Sequence, residues 1–217
     1  MLTDVAREQM VDQQVRTWDV LDERVLDAIR SVPRERFVPP AWRELAFADC
    51  EIGLPCGKRM LRPMLVGRIL QALELRGDEQ VLEIGTGSGY LSACLGRLAA
   101  RVRSLELHAQ LAELARVNLQ AATPSLAIDV STADGLQLDE QSRYDAIVVT
   151  ACLPIYQPRF ERALRTGGRL FVVVGATDPQ QATVVRRMSE HDWRSEVLFE
   201  TCIEALEHAP RPPLFGF

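Results

Sequence analysis

Seven consecutive residues, Glu83-Ile84-Gly85-Thr86-Gly87-Ser88-Gly89, combine a carboxylate with glycines at alternate positions. The run QVLEIG that contains their start is short, apolar and ends in glycine, as a buried parallel strand should, and Leu91 to Leu98 read as a helix beyond it. Glycines between a strand and a helix let the chain turn tightly and bring bare backbone against a ligand at the strand's carboxyl end. A nicotinamide or flavin site would want G-x-G-x-x-G, whose third glycine would fall where Tyr90 stands.

The spacing G-x-G-x-G, led by Glu83, suits a different ligand. S-adenosylmethionine carries an amino group and a sulfonium but no pyrophosphate, so a carboxylate beside the loop attracts it rather than repelling it. Glu106, followed by Leu107, ends the next strand, where a carboxylate can accept hydrogen bonds from both ribose hydroxyls. Asp134-Gly135 puts a carboxylate in a turn after the third strand, suited to the adenine amino group, although Asp-Gly is also a common turn. Thr150 and Ala151, at the end of the fourth strand, are substrate-side candidates. Asp145, at the start of that strand, reads as structural. His108, His191 and His208 have no visible nucleophile partner and are given no catalytic role, and Trp18, Trp42 and Trp193 read as packing or surface anchors.

For these positions to meet at one edge, strands and helices must alternate, and from Pro63 onward they do. Leu65, Val66, Ile69, Leu70 and Leu73 form a helical stripe; QVLEIG, RVRSLEL, SLAIDVST, YDAIVVTA and RLFVVVG are strand candidates, with helical stretches at Leu91 to Leu98, Leu111 to Leu119 and Phe160 to Leu164 between them. A further helix is expected near Pro179 to Glu190, and SEVLFETCIEAL as one or two antiparallel strands on the sheet edge. The fold class is therefore α/β, a Rossmann-like doubly wound, mostly parallel sheet. Ahead of it, Val5, Met10, Val11 and Val15 make one helical stripe, and Val25, Leu26 and Ile29 a second that starts after Asp22 and stops at Pro33. The stretch FVPPAWRELAFADCEIGLPCGKRMLRP reads as ordered loop, and loops of that length are often functional. One methyltransferase domain is expected over residues 1–217, with N-terminal helices and a substrate loop in 1–62 and the Rossmann-like core in 63–217. The proline-rich end APRPPLFGF reads as a docked arm or a frayed tail.

Bulk composition narrows the partners. A chain of 217 residues with 47% hydrophobic residues can bury one sizeable core, and its net charge of −5 argues against a nucleic-acid surface. The five cysteines lack metal-ligand spacing and read as reduced thiols; the start MLTDVAREQMVDQQVR lacks the basic flank and apolar run of a signal peptide, and no stretch is apolar enough to span a bilayer. The cytoplasm is the expected compartment, with no membrane partner and no metal.

Together MVDQQVR, DERVLDAIRSVPRERFVP, AFAD, VLEIGTGSGYLSACLGRLAARVRSLE, ADG, YDAIVVTA and GGRLFVVVG make the chain similar to the protein-L-isoaspartate O-methyltransferases, which methylate the abnormal carboxylate of isoaspartyl residues and so start their repair. The resemblance covers most of the chain and implies the Rossmann-like fold, S-adenosylmethionine, and cofactor contacts at Gly85, Gly87, Glu106 and Asp134; the rest of the loop and the neighbours Leu107 and Gly135 complete the candidate set. One stretch departs. Where the family reads P-L-P-I-G-x-G-Q-T-I-S-Q-P, this chain has Glu51-Ile52-Gly53-Leu54-Pro55-Cys56-Gly57-Lys58-Arg59-Met60-Leu61-Arg62-Pro63. Gly57 and Pro63 match, but the threonine is Arg59, the serine Leu61, and the glutamines Lys58 and Arg62, so the family's hydroxyl residue does not carry over and the catalytic residue is left open.

Loss of a positioning hydroxyl is expected to weaken substrate recognition without destroying the methyl-transfer site. An isoaspartyl carboxylate, which like other carboxylates loses its proton at a pH of about 4, is already ionised at neutral pH and needs no general base; its rate depends on alignment and on keeping water out. The cations Lys58, Arg59 and Arg62 are candidates for binding a carboxylate or phosphate on a different substrate, the feature that would mark a small anionic metabolite as acceptor. Three readings follow: methylation of isoaspartyl protein or peptide, methylation of a small anionic metabolite, and a non-catalytic switch that binds the cofactor as a signal.

Overall fold

The computed structural model describes residues 2–213. The first stripe forms α1 (Leu2–Met10), which runs on through a wider turn at Val11–Val15 and a tighter one at Arg16–Trp18 before Asp19 breaks it with a φ of 58°. Met10, Val11 and Val15 are buried, whereas Val5, expected on the same stripe, is exposed. Helix α2 (Glu23–Ser31) begins where the Asp22 carboxylate accepts the Arg24 N–H at 2.9 Å, and it buries Val25, Leu26 and Ile29. The connection after it contains more regular structure than its mixed composition implies. Pro40–Leu45 is a tight helical turn, and β1 (Ile52–Gly53) pairs antiparallel with β2 (Arg59–Met60).

Pro63, whose missing N–H costs nothing at a first helical position, opens α3 (Pro63–Leu73). There follow β3 (Gln80–Ile84), α4 (Tyr90–Leu98), β4 (Arg101–Glu106), α5 (Ala109–Ala122), β5 (Ile128–Thr132), β6 (Tyr144–Leu153), the short α6 (Pro158–Arg162), β7 (Leu164–Val174), β8 (Gln180–Arg187) and β9 (Trp193–Thr201). The sheet runs β5-β4-β3-β6-β7-β8-β9, parallel through β7 and antiparallel for the last two. Adjacent strand residues fall into two apolar clusters: Val81, Ala146, Val148, Phe171 and Val173 belong to one, and Leu82, Ile147, Val149, Leu170 and Val172 to the other. Strand side chains alternate faces, so these are the two sides of a sheet buried on both.

Two expectations are corrected here. The helix expected near Pro179 to Glu190 is strand β8: Thr183, Val184 and Val185 are β-branched, and they pair with Val172, Phe171 and Leu170 of β7, where burial on both faces outweighs any helical spacing. Leu164, expected to end a helix, instead begins β7. Arg169 of β7 is buried against Glu79 at 2.5 and 3.0 Å and also donates to the carbonyls of Leu73 and Glu74, tying the end of α3 to the sheet. Residues 210–213 are exposed, and Leu214 to Phe217, part of the expected arm or tail, lie outside the described residues.

Candidate functional site

The crossover between β4 and β6 around β3 opens a crevice at the carboxyl ends of these strands, where open α/β sheets bind ligands. A cleft of about 1030 Å3, including its open mouth, lies there. Its lining includes Glu83, Gly85, Thr86, Gly87, Ser88, Glu106, Leu107, Asp134, Gly135, Thr150 and Ala151. Gly85 has a φ of 93°, and a Cβ on it would overlap Thr150 Oγ1, so no other residue fits without displacing the loop. At Gly87 the φ is 55°, and a Cβ would sit 3.3 Å from Leu54 of the substrate loop. Gly89 differs from its neighbours. It does not line the cleft; a Cβ there would press on Leu119 and Ala115, so its bareness serves the packing of α4 against α5.

The carboxylates have distinct duties. Glu83 is fully buried; Ser104 donates to its Oε2 at 2.6 Å, Ser92 donates to the same oxygen, and Oε1 has no partner among the described residues. Burial pushes its carboxyl up to about 7 despite those two donors. Glu106 Oε2 accepts the Thr86 and Gly87 N–H groups at 3.0 and 2.9 Å, and its Oε1 accepts His108 N–H at 3.1 Å, so this strand-end acid also braces the glycine loop. Asp134 Oδ1 caps its own turn at Leu136 N–H, and Oδ2 pairs with His208 Nδ1 at 3.0 Å. The Thr150 hydroxyl is engaged with the Ile84 and Gly85 carbonyls at 2.9 and 2.8 Å, which fixes the loop rather than presenting a free donor. Asp145, at the opposite end of β6, accepts Gln80 N–H and pairs with Arg165, the structural role expected of it.

Lys58, Arg59 and Leu61 also reach the cleft, whereas Arg62, at the start of α3, does not line it, and its Nε is buried without an acceptor among the described residues. The fully buried Arg34 of VPRERFVP holds both ends of this region: its Nε donates to Ala46 O and its Nη2 to Leu61 O, each at 2.9 Å, while the guanidinium lies 4.8 Å from the centre of the Tyr90 ring. The opposite wall comes from a part of the chain that sequence reasoning missed. Residues 203–207 cross the mouth as a strap, anchored by Leu206 N–H to Cys152 O at 2.7 Å, by Cys152 N–H to Glu204 O at 2.8 Å, and by the Gln180 side chain on both backbone groups of Ile203. Strap acids meet loop cations: Glu207 lies 2.7 Å from Lys58 Nζ and 2.9 Å from His108 Nε2, and Glu204 lies 3.6 Å from Arg59, which also pairs with Glu51. Lys58 and then His108 hold the Glu207 carboxyl down at about 2. Acids at positions 204 and 207, facing a loop with cations at 58 and 59, were the available sequence signal for that wall. Tyr90, Leu91, Leu105 and Leu111 supply apolar lining that composition alone does not separate from core.

A doubly wound sheet with an acid-led glycine loop opposite a strand-end glutamate defines a Rossmann-like methyltransferase. Residues 5–204 match the family model described as protein-L-isoaspartate(D-aspartate) O-methyltransferase (PCMT). The chain belongs to that family. A Koribacter versatilis protein-L-isoaspartate O-methyltransferase is 40% identical over 184 residues, covering 84% of this chain and 82% of the relative. A Pelobacter propionicus protein-L-isoaspartate O-methyltransferase 2 is 42% identical over 194 residues, covering 88% and 86%. Among solved structures, a Plasmodium falciparum protein described as a protein-L-isoaspartate O-methyltransferase, in complex with S-adenosyl-L-homocysteine, superposes with a TM-score of 0.80 over 93% of this chain and 98% of that one at 17% identity, a likeness of fold. No described helix is long and apolar enough to cross a membrane, and no metal-ligand cluster occurs among the described residues.

Proposed function

We propose that this chain transfers a methyl group from S-adenosylmethionine to the carboxylate of isoaspartyl residues in proteins or peptides. The carrying observation is the cleft itself: bare backbone at Gly85 and Gly87, with Glu83, Glu106 and Asp134 around it. The fit to the cofactor rests on two features. Gly85 and Gly87 line the cleft with no side chain to occupy it, and the orphaned buried Glu83 Oε1 offers a cationic ligand a partner whose negative charge is present above about pH 7. In this reading Thr86, Ser88 and Gly135 shape the cradle, Glu106 and Leu107 flank the ribose, and Asp134 faces the adenine. Gly89 is a packing residue and Thr150 braces the loop, while Ala151 lies on the acceptor side.

When bound, S-adenosylmethionine supplies an electrophilic methyl group. The acceptor carboxylate is already charged near neutral pH, so the protein's task is to hold one oxygen in line and exclude water. Lys58 and Arg59, standing where the family has a glutamine and a threonine, are the cations that hold the acceptor carboxylate, with Leu61 as apolar wall; Arg62 is left out because it does not reach the cleft. Residues 1–217 act as one unit, with 1–62 supplying the loop and 63–217 the cofactor cradle. The free cysteines fit a reducing compartment such as the cytoplasm: burial raises the Cys94 and Cys152 thiols to about 12 and about 11, which keeps them protonated.

The deciding experiment is methyl transfer from labelled S-adenosylmethionine to an isoaspartyl peptide and its aspartyl twin, with cofactor binding followed by calorimetry. Isoaspartyl-selective turnover is expected. Cofactor binding without turnover on either peptide would overturn the substrate assignment, and no cofactor binding would overturn the site.

A further inference from the structure

In the free protein the cations assigned to the acceptor carboxylate already hold carboxylates of the same chain. Glu207 sits 2.7 Å from Lys58 and Glu204 sits 3.6 Å from Arg59, all four side chains line the cleft, and both acids belong to the strap across its mouth. We propose that Glu207, seconded by Glu204, is an internal stand-in for the substrate carboxylate, so that the acceptor binds by exchanging with it on Lys58 and Arg59. The inference rests on the isoaspartyl reading above and adds a determinant of substrate affinity.

Three features make exchange physically reasonable. The side chains of Lys58, Glu207, Arg59 and Glu204 are 32%, 39%, 58% and 44% exposed, and ion pairs that open to solvent are cheap to break. The strap does not depend on them, because its backbone is fastened at Cys152 and Gln180; a carboxylate can swing out while the cleft wall stays in place. One group of each pair also retains a partner when the pair opens. Glu207 keeps His108 at 2.9 Å, and Arg59 keeps Glu51 at 3.6 Å, so neither is stranded while the acceptor arrives. Leaving the pair closed, by contrast, presents an incoming carboxylate with cations already neutralised and acids beside them. The strap therefore sets a threshold that a carboxylate placed in line by the rest of its peptide crosses and a loosely held anion does not.

The test is a double-mutant cycle on the full-length protein, read as KM and kcat for an isoaspartyl peptide with uncharged neighbours. Glu207→Gln is expected to lower KM by about two- to fivefold, the scale of one solvent-exposed ion pair, with the change in KM rather than in kcat. Lys58→Met removes the cation that both carboxylates share, so adding Glu207→Gln on that background is expected to leave KM unmoved. A Glu207→Gln gain of the same size in both backgrounds would mean simple charge repulsion and would overturn the stand-in, as would a Glu207→Gln that leaves KM unchanged or raises it. Cofactor calorimetry on each variant verifies folding, and Glu204→Gln, on the same strap but facing Arg59, repeats the cycle against Arg59→Met if Lys58→Met fails to fold. Absence of turnover by the unmodified protein on any isoaspartyl peptide would instead sink the reading beneath the inference, which separates the two failures.

Discussion

Replacing Glu83 with glutamine probes the floor of the cleft, where a carboxylate is buried beneath the glycine loop. Burial raises the Glu83 carboxyl from its ordinary 4.5 to about 7; Ser104 and Ser92 pull it back, and Glu106 adds to the rise. Unfolding returns the group to its ordinary value. Between about pH 4.5 and 7 the folded chain therefore keeps a proton that the unfolded chain has released, and stability falls as pH rises through that window. The shift from 4.5 to about 7 corresponds to about 3 kcal/mol of destabilisation, fully present above the folded value and absent below the unfolded one. Glutamine cannot titrate. Its buried amide carries a cost of its own, but that cost is independent of pH, so the informative quantity is the difference in unfolding free energy between the two proteins at each pH. Urea denaturation from about pH 5 to about pH 8 should show the unmodified protein losing about 2–3 kcal/mol relative to Glu83→Gln. Parallel curves would refute the buried, proton-holding carboxyl. The same titration bears on function, because the ionised form attracts a cationic ligand: S-adenosylmethionine affinity should climb as pH rises through about 7 in the unmodified protein and stay flat in the variant.

Other substitutions test the remaining supports. Glu106→Ala should weaken cofactor binding by about 1–3 kcal/mol in calorimetry, since it removes charged acceptors from both the ligand and the Thr86 and Gly87 amides; a loss below a few tenths would move the ribose elsewhere. Gly87→Val should abolish cofactor binding, because a branched side chain at a φ of 55° meets Leu54 and the ligand space together, and unchanged affinity in a folded variant would displace the site. Arg169→Met strands the buried Glu79 carboxylate and should lower urea stability by about 3–5 kcal/mol, whereas a cost under about 1 kcal/mol would show that Glu79 finds other partners.

Where the information is local, the sequence was enough. The acid-led glycine loop, the buried parallel strands and the helix start after Asp22 follow from φ requirements, apolar period and a capping carboxylate, all properties of a few neighbouring residues. That is also why the family and its cofactor are legible in the chain itself. Tertiary structure alone decided the rest. QQATVVRR became an antiparallel strand next to the sheet's edge because Arg169–Val174 of β7 offered a free edge, which its β-branched residues alone did not announce. Thr150 turned out to brace two carbonyls, Gly89 to admit α5, and Arg62 to miss the cleft, since each role depends on what another part of the chain brings within a few ångströms. The strap is the clearest case. Glu204 and Glu207 lie about 150 residues from Lys58 and Arg59, and Coulomb attraction acts through space, so no period or motif records that the fold brings the two pairs together.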